Sequence, residues 1–261
     1  MNMLHKYPRT HHIEGSGIQK GDEELNIFPF RTLAGKHLVI EEKMDGANSA
    51  VSFDSNGRLL LQSRGHYLSG GPREKQFHLL KKWANTYTTA LAETLSDRYV
   101  MYGEWLYAKH TLFYTDLPHY FMEFDMYDKL KDEFLSTERR KILLAPLPFV
   151  ASVKVLYEGR IPDIQALRRL IGHSYFISED CQQRLRNLCA IRQLDSMQVM
   201  KETDTSTLME GLYIKVEEDG VVKERYKYVR ASFLQTVFDS ESHWLDRPLL
   251  PNSLKAGVEL F

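Results

Sequence analysis

The amino-acid sequence predicts an α+β fold in which antiparallel β-sheets are flanked by helices. Strand-like and helix-like segments fall in blocks rather than in strict alternation, which disfavours a parallel βαβ architecture. Two strand pairs are joined by short turn sequences suited to hairpins, Asp54-Ser55-Asn56-Gly57 and Glu218-Asp219-Gly220. With 43% hydrophobic and 11% aromatic residues among 261, the chain can bury a substantial core. No internal repeat, low-complexity tract or linker divides it, so a single domain is expected.

Residues 1–35 mix Gly, Pro and polar residues with short apolar pieces. They read as an irregular leader with turns at Gly15-Ser16-Gly17 and Lys20-Gly21-Asp22. His37 to Glu42 reads as a strand running into Lys43-Met44-Asp45-Gly46, and Asn48 to Phe53 pairs with Arg58 to Gln62 as a hairpin. After Pro72 the period changes. Apolar or aromatic residues at 77, 80, 84, 87, 91 and 95 step by three or four, the stripe of an amphipathic helix with a proline in its first turn. Tyr99 to Trp105 and His119 to Tyr127 are aromatic-rich strands. Thr137, Asp163 and Ser178 are the expected caps of three helices, the second ending at Gly172 and the third running through Ile191. Leu212 to Val216 and Val222 to Val229 form the last hairpin.

Charge and composition exclude several function classes. Thirty-four Lys and Arg against 35 Asp and Glu give a formal charge of -1, so nucleic acid must be met by a local patch and not by a global field. Cys181 and Cys189, eight residues apart on a helix, lie about 12 Å apart along its axis, beyond disulfide reach. The stretch after Lys6 and Arg9 is not apolar, and no run approaches ~18 apolar residues, so a cytoplasmic protein with no membrane partner is expected. His11 and His12 have no second pair at zinc-ligand spacing. Gly15-Ser16-Gly17 lacks the Gly-Lys-Ser/Thr of a phosphate-binding loop.

Lys43-Met44-Asp45-Gly46 taken alone describes a solvated lysine in a turn. It is followed in order by Ser63-Arg64-Gly65, Tyr102-Gly103-Glu104-Trp105, Phe121-Met122-Glu123-Phe124-Asp125, Glu210-Gly211-Leu212-Tyr213-Ile214-Lys215 and Arg225-Tyr226-Lys227. From about Glu41 to Lys227 these patterns resemble the covalent nucleotidyltransferases: DNA ligases, RNA ligases and mRNA capping enzymes. The resemblance implies one nucleotidyltransferase (ligase adenylation) domain over residues 1–261. Its segment 228–261 is too short for an appended oligonucleotide-binding barrel. It also implies ATP and Mg²⁺ or Mn²⁺ as cofactors, with Lys43 as the nucleophile. In such enzymes the counterparts of Arg64 and Glu104 hold the ribose, that of Phe124 stacks on adenine, and that of Glu210 works with the metal. Glu42 joins the expected nucleotide-binding set, and Lys215, Arg225 and Lys227 are expected to neutralise the phosphates. Many relatives show lysine where this chain has Arg225.

These residue types suit the chemistry. An attacking lysine must be unprotonated, and neighbouring cations such as Lys215 and Lys227 are expected to lower its pKa. Carboxylates accept from ribose hydroxyls or hold a hard cation, and an aromatic face stacks on a base.

Asn48 separates the cousins. DNA ligases and capping enzymes usually place arginine two residues after the motif glycine, whereas nick-sealing RNA ligases place asparagine there. The resemblance therefore favours an RNA ligase of RNA repair, with Lys43, Asn48, Lys215 and Lys227 as its catalytic residues. Its substrates would be RNA ends or nicked duplexes, and a separate end-binding or end-healing protein would be its partner. A DNA ligase, a capping enzyme and a noncatalytic nucleotide-binding relative remain alternatives. Trp105 reads equally as core or site, and Arg168, Arg169, Arg184, Arg186 and Arg192 read first as solvated helix faces.

The last hairpin allows a geometric expectation. A two-residue Asp219-Gly220 turn would place Lys215 opposite Glu224, on the other sheet face from Arg225 and Lys227. A shared phosphate role instead predicts a three-residue loop of Glu218, Asp219 and Gly220 that pairs Lys215 with Lys223. Glu210 differs in parity from Lys215, so Gly211 is expected to permit a bend that returns the carboxylate to the same pocket.

Overall fold

In the computed structural model, which describes residues 3–18, 22, 24–240 and 247–261, two six-stranded sheets face each other across a shared layer of side chains. Lys20 and Gly21 of the expected leader turn lie outside the described residues. The first sheet has the order β10 (Val155–Gly159), β3 (Leu38–Lys43), β11 (Gly211–Glu218), β12 (Val221–Val229), β1 (His11–Ile13) and β2 (Ile27–Phe28). The second runs β5 (Leu59–Ser63), β4 (Ala47–Phe53), β6 (Tyr99–Trp105), β7 (Phe121–Asp128) and β8 (Glu133–Phe134), with β9 (Ala151–Ser152) alongside β7. The pairings are antiparallel except β1–β12, β1–β2 and β7–β9. The leader is thus not irregular: β1 extends the first sheet beyond β12, placing His12 beside Lys227.

The stripe at 77, 80, 84, 87, 91 and 95 folds inward as expected, with Phe77, Leu80, Ala84, Leu91 and Leu95 buried. Each large apolar side chain so buried contributes about 1.5–3 kcal/mol. The helix is broken, however, into a 3₁₀ turn (Pro72–Phe77), α1 (His78–Thr86) and α2 (Thr88–Leu95). At the break, the Thr86 hydroxyl donates to the Lys82 carbonyl at 3.0 Å and the Thr88 hydroxyl to the Ala84 carbonyl at 2.9 Å. Hydroxyls that bond back to helical carbonyls bend or end helices. Trp105 belongs to the core: it is fully buried, and its indole N–H donates to the Gln76 carbonyl at 2.7 Å.

Asp163 caps α4 (Ile164–Arg168) by accepting from the Ala166 N–H at 2.7 Å, and that helix ends before Gly172. Two other caps are displaced. Ser136, not Thr137, caps α3 (Thr137–Leu144), because the Thr137 N–H and hydroxyl are taken by Glu217. α5 (Cys181–Arg192) starts after Asp180, with the Ser178 hydroxyl turned to that aspartate. Helices α6 (Ser196–Lys201), which Asp195 caps, and α7 (Ala231–Asp239) are additional to those expected. Cys181 and Cys189 are free and buried. No helix among the described residues is long and apolar enough to cross a membrane.

The last hairpin corrects the loop assignment. Asp219 and Gly220 both take positive φ, 52° and 75°, and form a two-residue turn with Glu218 opposite Val221. The register then shifts between Val216 and Glu217, so that Val216 faces Glu224 and Lys215 faces Arg225. The Asp-Gly pair is suited to a turn with positive φ at both positions, and the extra residue is absorbed further along β12 as a bulge. Lys215, Arg225 and Lys227 share a face, but through a bulge and not through a longer loop.

Candidate active site

Lys43 ends β3. Alternation sends Leu38, Ile40 and Glu42 to one face of the strand, where Leu38 and Ile40 join a core with Leu212, Ile214 and Tyr226. Val39, Glu41 and Lys43 turn to the layer between the sheets. There the Lys43 ammonium lies 2.7 Å from Glu210 Oε1 and is one quarter exposed. Burial pushes Glu210 up to about 7, against the pull of Lys43. Burial likewise lifts Glu104 to about 8, with Lys43 opposing and Glu210 and Asp45 reinforcing.

The electrostatics around Lys43 are the reverse of those expected. Burial acts to lower its pKa, but Glu210, Glu104 and Asp45 outweigh burial and hold it above the ordinary lysine value. Lys215 is not beside it. On the shared face, the Lys215–Arg225 row lies four residues along β11 from Gly211, the residue opposite Lys43, a distance of roughly 13 Å. Strand parity was read correctly, but depth along the strand separates the cations.

At that depth Lys215 and Arg225 belong to a buried ionic cluster. Lys215 Nζ lies 3.0 Å from Glu41 and 3.1 Å from Asp125, and donates to the Phe124 carbonyl. Arg140 pairs with Glu41 at 2.5 Å and with Glu123 at 3.4 Å. The Arg225 Nε meets Asp125 at 3.3 Å while its guanidinium stacks over Phe134. Three acids and three bases therefore neutralise one another between the sheets. Of the three expected phosphate cations, Lys227 is the one that feels the Lys43 charge: burial, aided by Lys43 and opposed by Asp22, holds it below its usual value.

The motif residues around Lys43 have local reasons. Asp45 Oδ2 accepts from the Thr111 and Leu112 N–H groups at 2.7 Å each, and the Asp45 N–H donates to the Tyr114 hydroxyl at 2.8 Å. The aspartate thus locks the turn after the lysine to the loop that follows β6. Gly46 is required by close approach, since a Cβ there would lie 2.7 Å from the Trp105 carbonyl oxygen. Gly211 is also a close-approach glycine, and not a left-handed one. A Cβ would collide with the Tyr228 carbonyl across the β11–β12 pair, and the Glu210 carboxylate reaches Lys43 from the position just before that strand. Gly211→Ala is expected to destabilise by about 1–3 kcal/mol through overpacking, which is roughly 2–12 °C in Tm. An unchanged melting curve would show that these two backbones part freely.

The remaining expected residues are carried by the second sheet or the turn that follows β5. Phe124 is the extra residue of a bulge on β7, between Tyr102 opposite Asp125 and Gly103 opposite Glu123. Its half-buried ring packs edge-on against Tyr7, with centroids 5.2 Å apart. Asn48 is half-buried opposite Glu104 in the β4–β6 register. Arg64 is exposed beyond the end of β5.

The Glu42 side chain faces away from Lys43, accepting from the Ser174 hydroxyl at 2.5 Å and the Tyr175 N–H at 3.2 Å. Burial lifts this carboxyl to about 7. A carboxyl raised above its unfolded value contributes stability that is present below about pH 4 and lost as pH rises through about 7. Glu42→Gln should therefore lose less Tm than the parent between pH 5 and 8, and parallel melting curves would refute this.

Two facing sheets with a lysine and its carboxylates at the end of their shared layer define a nucleotidyltransferase fold of α+β class. Residues 36–229 match the family model for RNA ligase, and the chain belongs to that family. Among solved structures it is similar to Naegleria gruberi RNA ligase with ATP and Mn, at 18% identity and a TM-score of 0.53 over 80% of this chain and 54% of that one. A form of the same ligase with AMP and Mn gives the same identity, TM-score and coverage. At this identity the likeness is one of fold, and this chain spans about half the length of those ligases. No curated protein matches it.

Proposed function

We propose that this chain is an ATP-dependent RNA ligase that carries AMP on Lys43. The observation that carries the proposal is the meeting of the Lys43 amine with Glu210, Glu104 and Asp45, with Lys227 on the same sheet face. The Lys43 amine attacks the α-phosphorus of ATP, the bond to the β-phosphate oxygen breaks, and diphosphate leaves. The AMP then passes to the 5′-phosphate of an RNA strand. Finally a 3′-hydroxyl attacks that phosphate and AMP departs.

Lys43 must shed its proton first. Glu210, at 2.7 Å, is an acceptor within reach, and any rearrangement that draws Glu210 away removes the main influence holding the ammonium charged. In this reading Lys227 faces the phosphates, Glu104 and Arg64 the ribose, and Phe124 the adenine. Lys215 and Arg225 act one step removed, by fixing the two sheets in register.

The residues present fit a divalent cation. Glu210 Oε2 is buried without a hydrogen-bond partner, and it is a hard oxygen donor. No group of three or more His, Cys, Asp or Glu poised for a metal occurs among the described residues. Mg²⁺ commonly uses only one or two carboxylates together with phosphates. Held by Glu210, Mg²⁺ or Mn²⁺ would supply charge neutralisation at the transferring phosphoryl group. The Naegleria ligase solved with ATP and Mn supports this choice. A formal charge of -1 calls for a local RNA contact and not a global field, and an end-binding partner for the joining step is part of the same proposal.

Asn48→Ala tests the RNA assignment. Adenylation needs only ATP, so the variant should retain it to within about tenfold while joining of a nicked RNA duplex falls by more than about tenfold. Equal losses in both assays, or better joining of DNA nicks, would remove the preference for RNA.

A further inference from the structure

A second group of charges lies on the same sheet face, supplied by the leader. β1 runs parallel to β12 with His12 in register with Lys227. The carboxylate of Asp22 receives three groups at once: Lys227 Nζ, Arg9 Nη2 at 3.1 Å and His12 Nε2 at 3.3 Å. The His12 side chain is fully buried, and its other ring nitrogen lies 2.8 Å from Ser16 Oγ, which in turn accepts from the Val229 N–H. Lys227 and Asp22 are each 14% exposed and Arg9 43%, so the cluster is buried at its base and open at its rim. Burial opposes ionisation of Asp22, but His12, Lys227 and Arg9 together hold its carboxyl far below the usual range.

This is a site built for an oxyanion and filled by one from the chain itself. Lys43 on β3 and Lys227 on β12 are two strand spacings apart and offset by two residues along β11, about 12 Å between their backbones, and their side chains are close enough to feel each other's charge. We propose that Arg9, His12 and Lys227 form the subsite for the β- and γ-phosphates of ATP, and that Asp22 is a placeholder which the triphosphate displaces. The proposal rests on ATP being the nucleotide at Lys43.

The chemistry follows from charge. As Lys43 bonds to the α-phosphorus, negative charge collects on the departing diphosphate, and Lys227 and Arg9 are placed to neutralise it. When diphosphate leaves, the Asp22 carboxylate returns to the same donors. It then opposes re-entry of diphosphate, the reagent that would reverse adenylation.

Binding measured by calorimetry in a Lys43→Ala background tests this without relying on covalent chemistry. The probes are ATP, AMP and inorganic pyrophosphate. Arg9→Ala should weaken ATP and pyrophosphate by about 5- to 10-fold, the effect of one charge-assisted hydrogen bond, and leave AMP unchanged. Asp22→Asn should strengthen ATP and pyrophosphate by a similar factor. Equal shifts for ATP and AMP, or pyrophosphate binding indifferent to both substitutions, would overturn the subsite. Pyrophosphate binding that responds to Arg9 and Asp22 in a protein that binds neither ATP nor AMP would keep the anion site and reject the ATP reading.

With Lys43 intact, adenylated protein distinguishes the source of the phosphate. Arg9→Ala should slow discharge of AMP by pyrophosphate by a larger factor than it slows AMP transfer to 5′-phosphorylated RNA. The opposite pattern would assign the subsite to the RNA end and overturn the proposal.

Discussion

Lys43→Ala is expected to abolish covalent labelling by ATP, a loss of more than about 10³-fold, because no other amine can take the place of the attacking group. Intact-mass spectra after incubation with ATP and Mg²⁺ measure this directly. An AMP adduct that survives the substitution would place the nucleophile elsewhere. Alanine also leaves Glu210 without its cation, so part of any effect on Tm reflects an uncompensated buried carboxylate. Lys43→Arg separates the two effects: a guanidinium keeps the charge but does not deprotonate to attack. Both variants should lack the adduct, and the arginine variant should melt closer to the parent.

Arg140→Met is expected to have the largest effect on stability. Its guanidinium is fully buried, pairs with Glu41 and Glu123, and donates to the Phe124 carbonyl. Methionine fills much of the volume but leaves two buried carboxylates facing each other with Lys215 as their nearest remaining cation. Removing one partner of a buried ion pair costs about 3–5 kcal/mol, or roughly 6–20 °C in Tm for a chain of this size. Thermal melting of the purified variant measures the loss. A drop of less than a few degrees would mean that Glu41 or Glu123 takes up a proton at little cost, and that the cluster contributes specificity more than stability.

The same cluster explains where inference from the chain alone stopped. Ordered short patterns located Lys43, Glu104, Glu210 and Lys227, and the structure brings the first three together with Lys227 on their face. They did not separate these from Lys215 and Arg225, which obey the same strand parity but lie deeper between the sheets. Asp22, Arg9 and His12 were missed, because nothing local marks a leader as a strand when its partner, β12, comes more than 200 residues later. The true cap of α3 was missed for a similar reason: Thr137 is claimed by Glu217, which is distant in sequence.

By itself the sequence determined the α+β class, the β3, β4, β6 and β11–β12 strands, the buried stripe from Phe77 to Leu95, and the family. All of these depend on periodicity, turn chemistry or short ordered motifs, which act over a few residues. Only the tertiary structure decided the charge state around Lys43, the burial of Lys215 and Arg225 in a neutral cluster, and the pairing of Lys227 with Asp22. Those outcomes depend on which carboxylates approach a cation within a few ångströms in a low-dielectric layer. That proximity is set by sheet packing and strand depth, which no local pattern encodes.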